Sequence, residues 1–435
     1  MRRAFAAAAL ALLLVSAGCA DLIGYNRGAP QDDRLGWEDG YWYDQPLDIE
    51  TEDGLNASER RAVVGRAMAR VERIRGLEFQ RRVPVEVVTR AEYQRQRGDD
   101  RGTEDGAFNA WNNQVWEALF LVDEETDVSD SFETVYGTSV TGFYSPGEDR
   151  IVIVADSETP LIDRRTLSHE LVHALQDQHL SLGPGAKTQD AQLASDGLVE
   201  GDANLVEQLY EDRCAGDWQC LPIPPRASDG GGGEFNQGVF QAVFTPYAEG
   251  PHFVADIRQR GGWEAVNGAY EEFPESTEQV IHPATYPDED PVEVTVPNRA
   301  RGGWERFDVD PEADTVGEAS IYAMVWANGL TGEHDRYNYS YPISDGWAGD
   351  SLVPYHNGDE TGYVWKIQWD TEDDAREFLA AYRDLLAQHN ATRDGNVYVV
   401  PEGDPYADAF RVFRNGKTVT IVNGPDPAAL DEIHG

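Results

Sequence analysis

Apolar residues recur every three to four positions along much of this chain and every second position over shorter stretches, which divides it into helices and strands. Val64, Met68, Val71 and Ile74 predict a helix starting at Asn56 or Ser58, and Val83 to Val88 reads as a buried strand. Phe108, Trp111, Val115, Leu119 and Val122 mark a second amphipathic helix. The stretch GTSVTGFYSPGEDRIVIVAD reads as two strands around Pro146-Gly147 and leads directly into a helix with Leu167, Leu171, Val172 and Leu175 at its apolar positions, capped by Thr166 or Ser168. After a Gly183-Pro184-Gly185 turn, residues 190 to 211 repeat the helical pattern through Ala191, Ala194, Leu198, Leu205 and Leu209. Pro222, Pro224, Pro225 and Gly230 to Gly233 read as a mobile loop, and helical patterning resumes from Asn236 to Glu272.

The last third reads as a separate unit. A helix over Asp314 to Asn328 and a GWAGD loop at 346 to 350 precede TGYVWKIQW, whose alternation puts Tyr363, Trp365, Ile367 and Trp369 on one face. Thr371 caps a helix that turns Ala375, Phe378, Tyr382 and Leu385 inward, and the Asn415-Gly416 turn joins two more strands. The expected fold class is therefore α+β.

Candidate chemistry lies on the two central helices. His169, Glu170 and His173 form H-E-x-x-H, and on a helix the two histidines sit one turn apart on one face, so both imidazoles reach a single ion. Glu170 stands beside them as a general base. A zinc site open to water needs a third protein ligand. His179 has the spacing of H-E-x-x-H-x-x-G-x-x-H, but Gln176 replaces the glycine that would turn the chain back, so the helix continues and His179 faces away. Glu200 is the better ligand: Asp196, Glu200 and Asn204 form a polar row four residues apart, with Asp196 or Asn204 expected to hold a ligand in place. Further along, His282 and Tyr286 in STEQVIHPATYP are candidates for stabilising an oxyanion opposite the metal.

His169-Glu170-x-x-His173 with Glu200 on a following helix resembles the gluzincin branch of the zincin metallopeptidases. More narrowly, HELVHALQDQH, LVEGDA, GGWEAVN, STEQVIHP and GWAGD together resemble a haloarchaeal family of zincin-like surface lipoproteins, over a stretch from about Asp33 to the C-terminus. The resemblance implies a zinc-dependent peptidase domain. The 26 residues between His173 and Glu200 make a longer interval than in the best-known gluzincins.

Charge and cysteines add a setting. The chain has 35 basic and 79 acidic residues, a net charge of −44, which disfavours nucleic acid and anionic membranes as partners. Lys187, Lys366 and Lys417 are its three lysines, and an acid-rich, lysine-poor chain suits very high salt, where ions screen the repulsion between carboxylates. Arg2 and Arg3, an apolar run from Phe5 to Val15, then Ser16-Ala17-Gly18-Cys19 resemble a lipoprotein export signal with Cys19 as the lipidated residue; the paired arginines also resemble a twin-arginine signal. Cys214 and Cys220 are expected to form a disulfide. The expected organisation is a signal over 1–18, a lipid-anchored tether over 19–52, a zincin-like domain over 53–300 and an α+β subdomain over 301–435.

On this reading the protein is an exported, lipid-anchored zinc metallopeptidase of the cell surface, acting on peptides or proteins and touching the membrane through its lipid alone. The alternative is a non-catalytic zinc-binding lipoprotein with an adhesion or envelope role.

Overall fold

The structure is a computed structural model that describes residues 33–99, 106–137, 140–155, 157, 159–224 and 235–435. The expected signal, Cys19, the first part of the tether, and Pro225 with the Gly230 to Gly233 run lie outside the described residues. Mixed α and β structure is present throughout, and no described helix is long and apolar enough to cross a membrane.

The hairpin β1 (Trp37–Glu38) and β2 (Tyr41–Trp42) lies against α1 (Ala57–Arg75). Asn56 caps that helix through the amides of Ser58 and Glu59, and Glu59 reciprocates on the Asn56 amide, satisfying donors a helix start leaves open. Next come β3 (Val85–Thr89), α2 (Arg90–Asp99), α3 (Gly106–Ala118) and α4 (Val128–Gly137). The hairpin expected around Pro146-Gly147 is β4 (Gly142–Ser145) and β5 (Arg150–Ala155). These strands form a three-stranded sheet in the order β3-β5-β4, with β3 parallel to β5 and β4 at an edge.

The motif helix α5 (Arg164–His179) begins one turn earlier than expected, because Asp163 caps it and neither Thr166 nor Ser168 does. Leu171 and Leu175 pack with Met68 of α1, Ile151 and Ile153 of β5, and Val206 of α6 (Gln189–Cys214) in one core. A second core joins α6 to α9 (Gly250–Ala269), which follows the shorter α7 (Gln237–Val243) and α8 (Thr245–Ala248). Here the helices touch backbone to backbone. A Cβ on Gly201 would lie 2.4 Å from the Gly250 carbonyl, so a side chain at 201 would force α9 off the helix that carries Glu200.

After α10 (Thr277–Ile281) the chain forms β6 (Glu305–Arg306), α11 (Gly317–Ala327), β7 (Trp347–Asn357), β8 (Glu360–Trp369), α12 (Glu372–Gln388), β9 (Thr392–Asp394), β10 (Val397–Val399), β11 (Ala409–Asn415), β12 (Thr418–Gly424) and α13 (Pro427–His434). GWAGD, expected as a loop, enters β7 at Trp347 through an irregularity at Gly349. A seven-stranded antiparallel sheet runs β6-β7-β8-β12-β11-β10-β9. Tyr363, Trp365, Ile367 and Trp369 share a buried face covered by Phe378 and Tyr382 of α12. Ile433 and Leu430 of α13 cover the other.

The boundary expected at 300/301 does not separate two cores. Trp111 and Val115 of α3 and Val239 of α7 belong to the same apolar cluster as Tyr322 of α11 and Trp365 of β8. Periodicity shows that a helix buries a face and leaves open which element covers it. Buried carboxylates reinforce the join. Asp350 accepts from the amides of Val316 and Gly317 and the indoles of Trp347 and Trp365. Asp314 accepts from the Gln189 amide, and Asp190 from the Thr277 amide and hydroxyl. Gly317, at φ 76°, leaves Asp190 its place, since a Cβ there would fall 1.8 Å from the carboxylate. The first turn of α6 is thereby fixed to the seven-stranded unit, which sets where Glu200 sits.

Candidate metal centre

His169 and His173, one turn apart on α5, meet Glu200 of α6 at the floor of a cavity. His169 Nε2 is 3.1 Å from Glu200 Oε2 and 3.1 Å from His173 Nε2, and His173 Nε2 is 3.6 Å from Glu200 Oε2. Burial pulls the His169 ring down, but contact with Glu200 and Glu207 outweighs it and raises the ring to about 10. The His173 ring is also raised, again against burial, by Glu200. Burial pushes Glu200 up, yet the two rings hold it well below the usual carboxylate range.

The outer nitrogens show how the rings are oriented. His173 Nδ1 lies 2.8 Å from Gln176 Oε1. The Gln176 amide donates to the Val199 carbonyl at 2.9 Å and to the Tyr270 hydroxyl at 2.8 Å, and that hydroxyl donates to Asp202 at 2.9 Å. Asp202 is held by Arg75, whose guanidinium stacks on Trp263. Val199 O can only accept, so every bond in this buried chain has one direction and His173 Nδ1 must be the donor. In the neutral, metal-binding form of the ring its Nε2 lone pair therefore faces inward. His169 Nδ1 lies 3.6 Å from Glu207, which orients its Nε2 the same way. With both rings neutral, as metal binding requires, two imidazole nitrogens and a carboxylate oxygen lie close enough to meet at one point, a donor set that fits Zn²⁺.

The cavity, about 330 Å³, is bounded by Gly142, Phe143 and Tyr144 of β4, by Tyr247, and by Asp196 and Val199 of α6. Glu170 reaches β4: its Oε2 accepts from the Tyr144 amide at 2.9 Å. The Tyr144 hydroxyl donates to Asp177 at 2.7 Å, so α5 holds the edge strand at two points. Because alternate residues of an antiparallel strand turn their backbone groups outward, Gly142 also faces away from β5, along the cavity.

Other expected residues are placed as follows. His179 faces away, with Nε2 on the Glu78 carbonyl at 2.6 Å. Asp196 lines the cavity and accepts from Gln192; burial raises it to about 6, and it bonds to neither histidine. Asn204 donates to the backbone carbonyl of Glu200 and leaves the carboxylate alone. The supporting contacts expected of these two are made by Gln176 and Glu207. His282 does not line the cavity; its Nε2 is 2.9 Å from Glu318, and although burial pulls the ring down, the neighbouring carboxylates raise it to about 9. Tyr286 gives its hydroxyl to the Glu272 carbonyl. Neither is placed to meet an oxyanion, because each is engaged elsewhere. Cys214 and Cys220 are joined in a disulfide after α6. Gln176, Glu207, Tyr270 and Tyr247 are site residues that the sequence reading did not assign.

Residues 305–434 match a family described as a domain of unknown function, DUF8575. The match covers the seven-stranded sheet with α11 to α13 and includes neither α5 nor α6. No curated protein matches the chain.

Proposed function

We propose that the protein is a zinc-dependent metallopeptidase of zincin type. The observation that carries this reading is the convergence of His169, His173 and Glu200 beneath an edge strand, with Glu170 between the two. His169, His173 and Glu200 would hold the zinc, which would supply Lewis acidity toward a carbonyl and lower the pKa of a bound water. An extended peptide pairs with the outward backbone groups of Gly142 in β4, which lays its carbonyl across the cavity floor. Glu170 takes the water's proton and returns it to the leaving amine. Export and a lipid at Cys19 belong to the same proposal, resting on the sequence of residues 1–19.

The second reading, zinc binding without turnover in adhesion or envelope organisation, draws on the bond from the Tyr144 amide to Glu170, which gives that carboxylate a structural use. A peptide library incubated in multimolar salt with protein, chelator-treated protein and Glu170→Gln separates them. Hydrolysis that is lost with chelator, restored by zinc, and absent in a Glu170→Gln protein that still holds zinc supports the peptidase. Equal cleavage by wild type and Glu170→Gln overturns it, and bound zinc without cleavage favours the second reading.

A further inference from the structure

A second imidazole lies among carboxylates away from the cavity. His282 ends α10, Glu318 lies in the first turn of α11, and Asp345 lies in the turn before β7. One ligand atom from each falls within 4.8 Å of the others, His282 Nε2 being 2.9 Å from Glu318 Oε1 and 3.6 Å from Asp345 Oδ1. Glu318 is fully buried, and its second oxygen, Oε2, has no hydrogen-bond partner. A carboxylate oxygen taken out of water and given no donor is costly, and native structures retain such an atom for a reason.

Other carboxylates stand close by. Burial, with Asp345 acting in the same direction and His282 opposing, raises Glu318 to about 7. Asp345 is held in that position, its Oδ1 accepting from the Tyr341 amide at 2.8 Å and its Oδ2 from the Ser340 hydroxyl at 3.3 Å. Buried Glu278, on the same short helix as His282, also lies near both; burial and the neighbouring carboxylates raise it to about 9, so it keeps its proton near neutral pH and leaves the charge to Glu318 and Asp345. A proton on His282 offsets one negative charge. A dication in its place offsets two and offers the buried Glu318 carboxylate a charged partner.

We propose that His282, Glu318 and Asp345 form a second metal site, for a divalent transition-metal ion such as zinc or manganese. The imidazole argues against calcium and magnesium, which take oxygen ligands. His282 and Asp345 are partly exposed, leaving a way in and room for water to complete the shell. The ligands come from three separate segments, so the ion cross-links α10, α11 and the turn before β7; its role is to fasten these together.

The test removes the first centre and counts what remains. The full chain carrying His173→Gln and Glu200→Gln is dialysed against Zn²⁺ or Mn²⁺ in multimolar salt, desalted, and its metal measured. About one ion per chain is expected, with affinity at least tenfold lower once His282→Gln and Asp345→Asn are added. No retained ion, or retention unchanged by the added substitutions, overturns the proposal. Because those substitutions can unfold the chain, X-ray absorption on the zinc-loaded first-centre variant provides an independent reading: one imidazole per zinc is expected, and none overturns it. Peptidase activity is read in neither arm, so failure of the metallopeptidase reading leaves this result standing.

Discussion

Among the described residues, two groups of three potential ligands place imidazole nitrogen against carboxylate oxygen, and their surroundings differ. At His169, His173 and Glu200 the ligands come from two successive helices, the outer nitrogens face Gln176 and Glu207, and a cavity opens above. At His282, Glu318 and Asp345 the residues come from three segments, a buried oxygen lacks a partner, and none of the three lines that cavity. Donor chemistry alone therefore does not separate the centre proposed as reactive from the one proposed as a fastening. What distinguishes them is the cavity and the edge strand β4 beside the first.

The largest effect expected from breaking that distinction is at Glu170. If it moves the proton, Glu170→Gln lowers hydrolysis by on the order of 10³, while metal content stays at the wild-type level. Loss of zinc together with activity would instead make Glu170 a residue that shapes the centre, and the contrast between the clusters would weaken.

Next in size is the frame that the two clusters share. Asp190 begins the helix that bears Glu200, and it binds Thr277 of the helix that ends at His282. Burial raises Asp190 from its ordinary range to about 7, the Thr277 bonds opposing this only in part. A carboxyl raised by folding contributes stability below its unfolded pKa and loses it as pH rises through the folded value. The window is thus from about 4 to about 7, at about 1.4 kcal/mol per pH unit for that one group. Asp190→Asn should flatten the fall of Tm with pH across this window relative to wild type. Equal slopes in the two proteins would show that Asp190 is ionised in the fold throughout.

Much of the first centre was legible in the sequence, because H-E-x-x-H is a property of one helix and needs no tertiary knowledge. Glu200 was legible as part of a polar row, but its helpers were misassigned. Steps of four residues drift about 40° around a helix, whereas a step of seven drifts about 20°. Glu207, seven residues on, thus stays nearer the line of Glu200 than Asp196 or Asn204, and it is Glu207 that faces His169. Gln176 was noted only for failing to be glycine, while its amide orients His173. The second cluster was not legible at all: His282 meets carboxylates 36 and 63 residues away, and only the packing of α10 against α11 brings them together. The apolar cluster that crosses residue 300 was hidden for the same reason, since α3 looks the same in sequence whichever core it joins.

The smaller predictions sharpen what supports the first centre. Gln176→Met removes the acceptor for His173 Nδ1 and both donors of the amide, leaving the ring free to turn its proton inward. Zinc affinity, measured by competition with a chromogenic chelator, should fall by about 10- to 100-fold. An unchanged affinity would mean that α5 packing alone orients the ring.

Glu207 should matter less. Its oxygen is 3.6 Å from His169 Nδ1, beyond ordinary hydrogen-bond length, so it acts through charge and sets the ring less firmly than Gln176 sets His173. Glu207→Gln keeps the shape and removes the charge, and zinc affinity should drop by about threefold, well short of the loss for a broken orienting bond. A loss as large as that of Gln176→Met would mean that Glu207 closes onto His169 when metal binds. The two histidines would then be held with equal force, each by an acceptor from a different helix, and α6 would act as a clamp on the centre as well as the source of its third ligand.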